Sequence, residues 1–325
     1  MLRGRGSERS WTALKRPKLV AAVIGLLVLV SGATSVGVTS SGAAARHTAA
    51  IVTTLRSSAA PPVILAAGDI ADCGSNGDEA TAQLIASRPG TVLALGDNAY
   101  GDGTAEQFSG CYAPSWGRFK TRTRPTPGNH DYHTDGAAGY FGYFGNAAGP
   151  QGRGYYSFDL AGWHIVSLNS NCSDIGGCGT GSSQERWLRA DLASHRARCT
   201  LAYWHHPRFS SGTKHGSEEE MAPIWQALYD NRADVVLSGH EHNYERFAPQ
   251  TAAGKLDLAR GIREFVVGTG GKSHYPLGAP IANSQARNGD TYGVLELRLR
   301  GNGYSWKFIP VAGGRFTDSG SASCH

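Results

Sequence analysis

Short apolar runs that end in a glycine and a polar residue recur along the chain, and they constrain its fold more than any other feature. VILAAG at 63–68 and TVLALG at 91–96 have the length of buried strands. Between them, DEATAQLIAS at 78–87 has helical spacing with acidic residues in its first turn. The alternation continues with a strand in WHIVSLNS, a serine-capped helix in SSQERWLRADLASHRA, a strand in CTLAYWHHP, a helix in EEEMAPIWQALYDN and a strand in ADVVLSG. This alternation predicts an α/β fold with helices packed against sheets.

The section from residue 263 onward is predicted to contain strands without intervening helices. These strands are REFVVGTGG, YGVLELRLR and, as the last, YSWKFIPV. They predict either a second sheet or an antiparallel edge on the first one. Because no internal repeat or low-complexity break interrupts the pattern, residues 62–325 are predicted to form a single catalytic domain.

The N-terminus has the pattern of an export signal. Residues 1–18 carry six basic residues against one acidic residue, and the 22 residues from Leu19 to Ser40 carry no charge. We interpret 1–45 as a secretory signal peptide or, alternatively, a membrane anchor, and 46–61 as a linker. The protein is therefore expected to be secreted, or else membrane-anchored with an extracytoplasmic domain. Since the formal net charge of +5 lies in residues 1–18, nothing in the rest of the chain predicts a nucleic-acid partner.

Six cysteines suit an exported protein and predict disulfide bonds. Cys172 and Cys178 lie close together in a Gly-rich loop and are the first predicted pair, and Cys73 with Cys111 is the second. A zinc cluster is the alternative, but the chain has no CxxC spacing that would support it.

Potential metal donors stand at five strand ends. In parallel sheets, ligands gather beyond the carboxyl ends of the strands. The residues found there are Asp69; Asp97 and Tyr100; Asn129, His130 and Asp131; His205 and His206; and His240 and His242. Taken alone, each has an ordinary structural explanation, such as a turn or a solvated histidine, but their recurrence at five strand ends predicts a metal site. His240 and His242 are expected to face the same way, with Glu241 between them pointing away.

The motif series GDI, GDNAY, GNHD, HHP and GHEH resembles that of the calcineurin-like metallophosphoesterase superfamily. Within it the chain is similar to the purple acid phosphatase branch, because Ala71 stands where many members have a histidine and Tyr100 lies three residues after Asp97. The resemblance covers 62–325. It implies an α/β fold of two packed mixed β-sheets flanked by helices, a metallophosphoesterase-type αββα sandwich.

The resemblance also implies two metal ions that share Asp97. One ion would be held by Asp69, Asp97, Tyr100 and His242, and the other by Asp97, Asn129, His205 and His240. Fe³⁺ is expected at the Tyr100 site, and Zn²⁺, Fe²⁺ or Mn²⁺ at the other. The residue types agree, since carboxylate and phenolate suit a trivalent ion, and imidazole and amide suit a divalent one.

Four further residues are assigned roles near the metals. By resemblance, His130 either supports the metal ligands or contacts the substrate, and His215 contacts the phosphate or protonates the leaving oxygen. Asp131 is expected to orient an imidazole, and Glu218 to hold His215 in position. GTGGKS at 268–273 ends like a phosphate-binding loop, but Val266 occupies the position of the required first glycine, so a strand-end turn near the metal site is expected instead.

These features predict an exported two-metal phosphoric ester hydrolase, most simply an acid phosphatase-type phosphomonoesterase that uses an activated water. The substrate would be a phosphate ester, and a membrane would be involved only if the N-terminal segment is retained. Two alternatives stay open: a phosphodiesterase with the same metals, and a metal-bearing binding protein with little turnover.

Overall fold

Two mixed β-sheets form the centre of the fold across residues 61–325, which are the residues that the computed structural model describes. The predicted leader at 1–45 and nearly all of the predicted linker at 46–61 lie outside this range. Within 61–325, no helix is long and apolar enough to cross a membrane.

The first sheet combines the first strands of the described range with strands from the end of the chain. Its members are β1 (Val63–Ala67), β2 (Thr91–Leu95), β3 (Thr123–Thr126), β11 (Gly293–Arg300), β12 (Gly303–Pro310) and β13 (Ser319–Ser323). They are arranged in the order β13-β12-β11-β1-β2-β3, with β1, β2 and β3 parallel and the others antiparallel. The strand-only section therefore contributes an antiparallel edge to this sheet. The prediction that YSWKFIPV contains the last strand is wrong, because β13 follows it.

The second sheet contains the middle strands of the chain. They are β4 (Tyr156–Leu160), β5 (Trp163–Ser167), β6 (Cys199–Tyr203), β7 (Val235–Ser238), β8 (Tyr244–Phe247), β9 (Arg263–Val267) and β10 (Ser284–Asn288). Their order is β10-β8-β9-β7-β6-β5-β4, and β5, β6, β7 and β9 run parallel.

Helices cover the sheets. The α-helices are α1 (Gly77–Ala86), α2 (Ala105–Gln107), α3 (Ala138–Phe144), α4 (Ser183–Ser194) and α5 (Ala222–Asp230). The predicted serine cap of α4 is confirmed, since the Ser182 side chain accepts a hydrogen bond from the Glu185 amide at 3.2 Å. Shorter 3₁₀ or π turns occupy Phe108–Tyr112, Trp116–Arg122, Asp131–His133, Asp135–Ala137, Gly145–Ala148, Cys172–Ile175 and Glu219–Met221.

The period-two alternation of β6 shows how the layers pack. Leu201 and Tyr203 belong to the apolar core that includes both sheets, whereas Ala202 belongs to a second core that contains Leu188 of α4 and Ile224 of α5. Ile85 of α1 belongs to the first of these two cores. The predicted arrangement of two mixed sheets flanked by helices is confirmed.

Three disulfides join all six cysteines. Both predicted pairs, Cys73–Cys111 and Cys172–Cys178, are present, and Cys199–Cys324 is the third. The third bond ties the C-terminal segment to the first residue of β6. Disulfides persist in oxidising compartments, so this pattern supports the expectation of export.

Candidate metal centre

The seven predicted metal ligands meet where the parallel strands of both sheets end. Five strands contribute them through the turns that follow, and these residues are Asp69 after β1; Asp97 and Tyr100 after β2; Asn129 after β3; His205 after β6; and His240 and His242 after β7. Because β1–β3 and β6–β7 are parallel within their sheets, the carboxyl ends of each set lie at one edge. The structure thus brings together side chains that are up to 173 positions apart in the sequence.

Asp69, Asp97 and His240 have left-handed backbone conformations, with φ of 61°, 47° and 68°. Residues other than glycine rarely adopt this conformation, which costs about 1–3 kcal/mol per residue where it is strained. Neighbouring glycines leave the space these turns need. A Cβ on Gly96 would lie 2.5 Å from Nδ1 of His205, and the φ of Gly96 is 84°. Strain at three of the seven predicted ligands indicates that the turns are shaped for a site.

Tyr100 lies at the centre of the first donor group. Its hydroxyl is 3.0 Å from Asp69 Oδ1, 2.8 Å from Asp97 Oδ2 and 3.1 Å from His242 Nε2. These are the four residues that the resemblance assigned to one ion.

His205 lies at the centre of the second donor group. Its Nε2 is 3.2 Å from Asn129 Oδ1, 3.3 Å from Asp97 Oδ1 and 3.2 Å from His240 Nδ1. These are the four residues assigned to the other ion. Since Oδ2 of Asp97 faces the first group and Oδ1 faces the second, Asp97 occupies the position of a shared ligand.

The electrostatics of this cluster fit cation binding. Asp69 and Asp97 are 0% and 1% exposed, and no Lys or Arg side chain within 61–325 pairs with either carboxylate. Burial alone would lower the pKa of His205, but the charge and hydrogen bond of Asp97 raise it to about 9. A proton on His205 thus offsets the charge of buried Asp97, and a metal ion would take over that role.

Tyr100 gives a second test of the fit. Burial and the negative charges of Asp69 and Asp97 raise its pKa well above the usual value for tyrosine. A tyrosinate at this position therefore requires a strong cation among the same donors, as the Fe³⁺ assignment supposes.

Hydrogen bonds behind the donors fix the orientation of two imidazoles. Nδ1 of His205 donates to the Leu95 carbonyl at 2.9 Å, and Nδ1 of His242 lies 2.7 Å from Ser273 Oγ. Each contact directs Nε2 toward the donor group. Ser273 belongs to the GTGGKS stretch, so the expected strand-end turn does lie beside the centre.

His130 lies beside Tyr100 and Asp97, and His215 lies beside His240. Nε2 of His130 is 3.9 Å from Asp97 Oδ2, and its ring centroid is 4.5 Å from that of Tyr100. The ring of His215 lies 4.1 Å from that of His240 and is exposed. Both positions allow contact with a substrate bound over the donors.

The expectations for Asp131 and Glu218 need correction. Oδ2 of Asp131 accepts hydrogen bonds from the Gly128 amide at 2.9 Å and the Asn98 side chain at 2.9 Å, and it contacts no imidazole. It therefore holds the turns after β2 and β3 rather than a histidine. Oε1 of Glu218 accepts from the Glu220 amide, which caps a short turn, and Glu218 has no hydrogen bond with His215.

Glu241 does what Glu218 was expected to do. It points away from the donors, as predicted, but its Oε1 accepts hydrogen bonds from the amides of His215 at 2.7 Å and Gly216 at 2.5 Å. The sequence signal that could have revealed this is a charged residue between two predicted ligands on a buried turn.

An open cleft of about 770 Å³ adjoins the second donor group. Its walls include Asn129, Tyr132, His133, Ser170, Asn171, the Cys172–Gly177 loop and His206. Nδ1 of His206 lies 2.7 Å from Ser170 Oγ, and burial together with the charge of His205 lowers the pKa of His206 to about 3. His206 is therefore neutral, and the cleft is the space into which a substrate would extend.

The fold places the chain among α/β proteins of the αββα sandwich class. A family model described as calcineurin-like phosphoesterase matches residues 42–244, which is more than half of the chain. The protein therefore belongs to the calcineurin-like phosphoesterase family, and the resemblance seen in its motifs is confirmed.

Curated relatives include purple acid phosphatase 15 of Arabidopsis thaliana, which is 28% identical over 207 residues, or 53% of this chain and 38% of that protein. An uncharacterized protein of Mycobacterium tuberculosis is 29% identical over 46% of this chain and 35% of its own length. The chain thus spans little more than a third of the length of these relatives.

Solved structures share the fold at low identity. A purple acid phosphatase from yellow lupin seeds has a TM-score of 0.65 at 17% identity, covering 82% of this chain and 54% of that one. GAP50, described as the anchor in the inner membrane complex of Plasmodium, has a TM-score of 0.60 at 15% identity, covering 82% of this chain and 90% of its own.

Proposed function

We propose that this protein is an exported, two-metal phosphoric ester hydrolase of the acid phosphatase type that acts on phosphomonoesters. The observation that carries the proposal is the convergence of seven donors in two groups that share Asp97. Family membership and the similarity to purple acid phosphatases support the same reaction class.

Asp69, Tyr100 and His242 would hold one ion, for which we propose Fe³⁺, and Asn129, His205 and His240 would hold a divalent one. Asp97 would bridge them. Such a pair of cations supplies Lewis acidity, which polarises phosphoryl oxygens, makes water a better nucleophile and offsets charge in the transition state.

The surrounding residues act on the substrate. His130 lies next to Asp97 and would donate a hydrogen bond to a phosphoryl oxygen. His215, on the His240 side of the centre, would protonate the leaving oxygen as the ester bond breaks. Because the 770 Å³ cleft is open to solvent, a leaving group of moderate size could extend into it.

The proposal is tested with protein purified without chelator. We expect two metal ions per chain by elemental analysis and faster hydrolysis of p-nitrophenyl phosphate than of bis(p-nitrophenyl) phosphate. Tyr100→Phe should abolish visible absorption, since the proposed colour arises from iron bound to tyrosinate, whereas Tyr275→Phe, a neighbour outside the donor groups, should keep it.

Other results would replace the proposal with one of its rivals. Preference for the diester would indicate a phosphodiesterase, and metal-loaded protein without turnover of either ester would indicate a binding protein. A colourless, iron-free and active protein would remove the Fe³⁺ assignment and leave the two-metal hydrolase in place.

A further inference from the structure

The loop at 208–216, which carries His215, is held by three buried glutamates instead of by regular structure. Glu264 accepts hydrogen bonds from the amides of Arg208 and Phe209, each at 3.0 Å. Glu245 accepts from the Ser211 amide at 2.7 Å. At the other end of the loop, Glu241 accepts a hydrogen bond from the His215 amide. All three glutamates are 0% exposed. Buried carboxylates that accept backbone N–H groups fix a loop firmly, because an unpaired buried charge would be costly.

Glu241 differs from the other two because of its place in the chain. It lies between His240 and His242, on the turn that supplies a ligand to each donor group. Its side chain leaves the turn on the opposite side and binds the amides of His215 and Gly216 through a single oxygen. The turn that would hold the metals and the loop that carries His215 are thus joined by one residue.

Gly212 makes room for this connection. A Cβ at position 212 would overlap the carboxylate carbon and oxygens of Glu241. The loop therefore closes over Glu241 only with glycine at this position, which indicates that the contact shapes the path of the loop.

We propose that Glu241 is a positioning residue, which sets the distance and direction of the His215 side chain relative to the metal centre. The inference rests on the proposed function, in which His215 protonates the leaving oxygen. Glu241 contacts no substrate in this scheme and acts only through His215. Its loss should therefore affect esters that need a proton on the leaving group much more than esters that do not.

The test compares two monoesters. Glycerol 2-phosphate has an alkoxide leaving group that requires a proton, whereas p-nitrophenolate leaves without one. His215→Ala should lower kcat for glycerol 2-phosphate by about 10²-fold or more and change kcat for p-nitrophenyl phosphate by only a few-fold. Glu241→Ala should lower kcat for glycerol 2-phosphate by about 10- to 100-fold through misplacement of the acid. The double variant should be no slower than His215→Ala alone, since the two residues act in one step.

Two further variants keep the test decisive if Glu241→Ala folds poorly. Glu241→Gln retains an accepting oxygen and should recover most of the rate on glycerol 2-phosphate. Gly212→Ala leaves Glu241 in the sequence but displaces its carboxylate, and it should reproduce the selective loss. Glu264→Gln is the matched control, because it alters a buried glutamate at the far end of the same loop. It should lower thermal stability without changing the ratio of the two rates.

Metal content, measured in every variant, distinguishes a misplaced His215 from a disrupted metal centre. Equal losses on both esters, or loss of bound metal in Glu241→Gln, would show that Glu241 is only structural and would overturn the inference. A further loss in the double variant would do the same. If His215→Ala itself leaves the ratio of rates unchanged, the proposed role of His215 fails, and the inference falls with it for that separate reason.

Discussion

Two clusters of histidine and aspartate lie at opposite ends of the second sheet, and their side chains are arranged differently. At the carboxyl ends of β6 and β7, His205 and His240 face Asp97. At the amino end of β5, His164 lies between Asp159 at 2.9 Å and Asp191 at 2.7 Å, with His195 nearby. Residue types alone would suggest a metal ion in both places.

Ring orientation separates the two clusters. The rings of His164 and His195 lie face to face, with centroids 4.2 Å apart and planes 12° apart, so their nitrogen lone pairs run side by side. The rings of His205 and His240 are inclined at 72°, and their nitrogens converge. The far cluster is therefore an ion-pair clamp between α4 and the β4–β5 hairpin. The comparison teaches that convergence of lone pairs distinguishes a metal site from a salt bridge.

The largest expected difference follows from removing one carboxylate in each cluster. Asp97→Asn should remove metal from both donor groups and lower kcat by more than the roughly 10²- to 10³-fold that loss of one transition-state hydrogen bond costs. Asp191→Asn should retain metal and rate. Elemental analysis and steady-state kinetics on both variants check this, and an Asp97→Asn protein with undiminished turnover would disprove the metal centre.

A smaller effect is expected from replacing the serine that hydrogen-bonds a member of each cluster. Ser273 bonds His242 at 2.7 Å, and Ser157 bonds Asp191 at 2.8 Å. Ser273→Ala should weaken metal affinity by about 10- to 100-fold, as is usual when a hydrogen bond that orients a ligand is lost. Ser157→Ala should leave metal affinity unchanged. Metal titration followed by protein fluorescence gives both values, and equal affinities would show that Ser273 does not orient His242.

The smallest effect concerns the pH dependence of stability in the far cluster. Burial would lower the pKa of His164, but hydrogen bonds and charges from Asp191 and Asp159 outweigh it and raise the pKa. The folded state thus favours the charged form of His164. The charged form contributes fully to the free energy of unfolding below the unfolded pKa near 6.5, and this contribution is lost as pH rises through the raised pKa of the folded state.

Asp191→Asn should therefore destabilise the protein more at pH 5 than at pH 9. We expect about 2 kcal/mol at pH 5, the usual value for a hydrogen bond to a charged group, and less at pH 9. Urea unfolding of wild type and variant in the same buffer measures the difference. Equal destabilisation at both pH values would mean that His164 does not change its charge between them, and the predicted pH dependence would be wrong.

Local signals predicted the central strands well. The apolar runs of β1, β2, β5, β6, β7 and β9 are buried on both faces and are easily recognised. The four strands at the edges of the two sheets, namely β3, β4, β10 and β13, had no predicted range, and neither had the short inner strand β8, which directly follows the GHEH turn. Edge strands pair on one side and bury less surface, so polar sequences such as SQARN in β10 and SGSAS in β13 carry little signal.

The partner of His215 could not be predicted from sequence for a related reason. Glu218 lies three residues from His215, yet the side chain that accepts the hydrogen bond of the His215 amide is that of Glu241, which is 26 positions away. Spacing indicates which side chains share a face of one element, but it does not indicate which turns meet after the sheets assemble.

By itself, the sequence determined the class of fold and indicated which donors stand at the strand ends, because both depend on local periodicity or on a motif confined to one strand end. It also predicted two of the three disulfides, from the even cysteine count and the short spacing of one pair. Only the tertiary structure decided that Asp97 faces both donor groups, that Glu241 reaches the His215 loop and that the His164 cluster is a clamp. Those features depend on strand order, side-chain direction and ring orientation, which arise from contacts between distant parts of the chain.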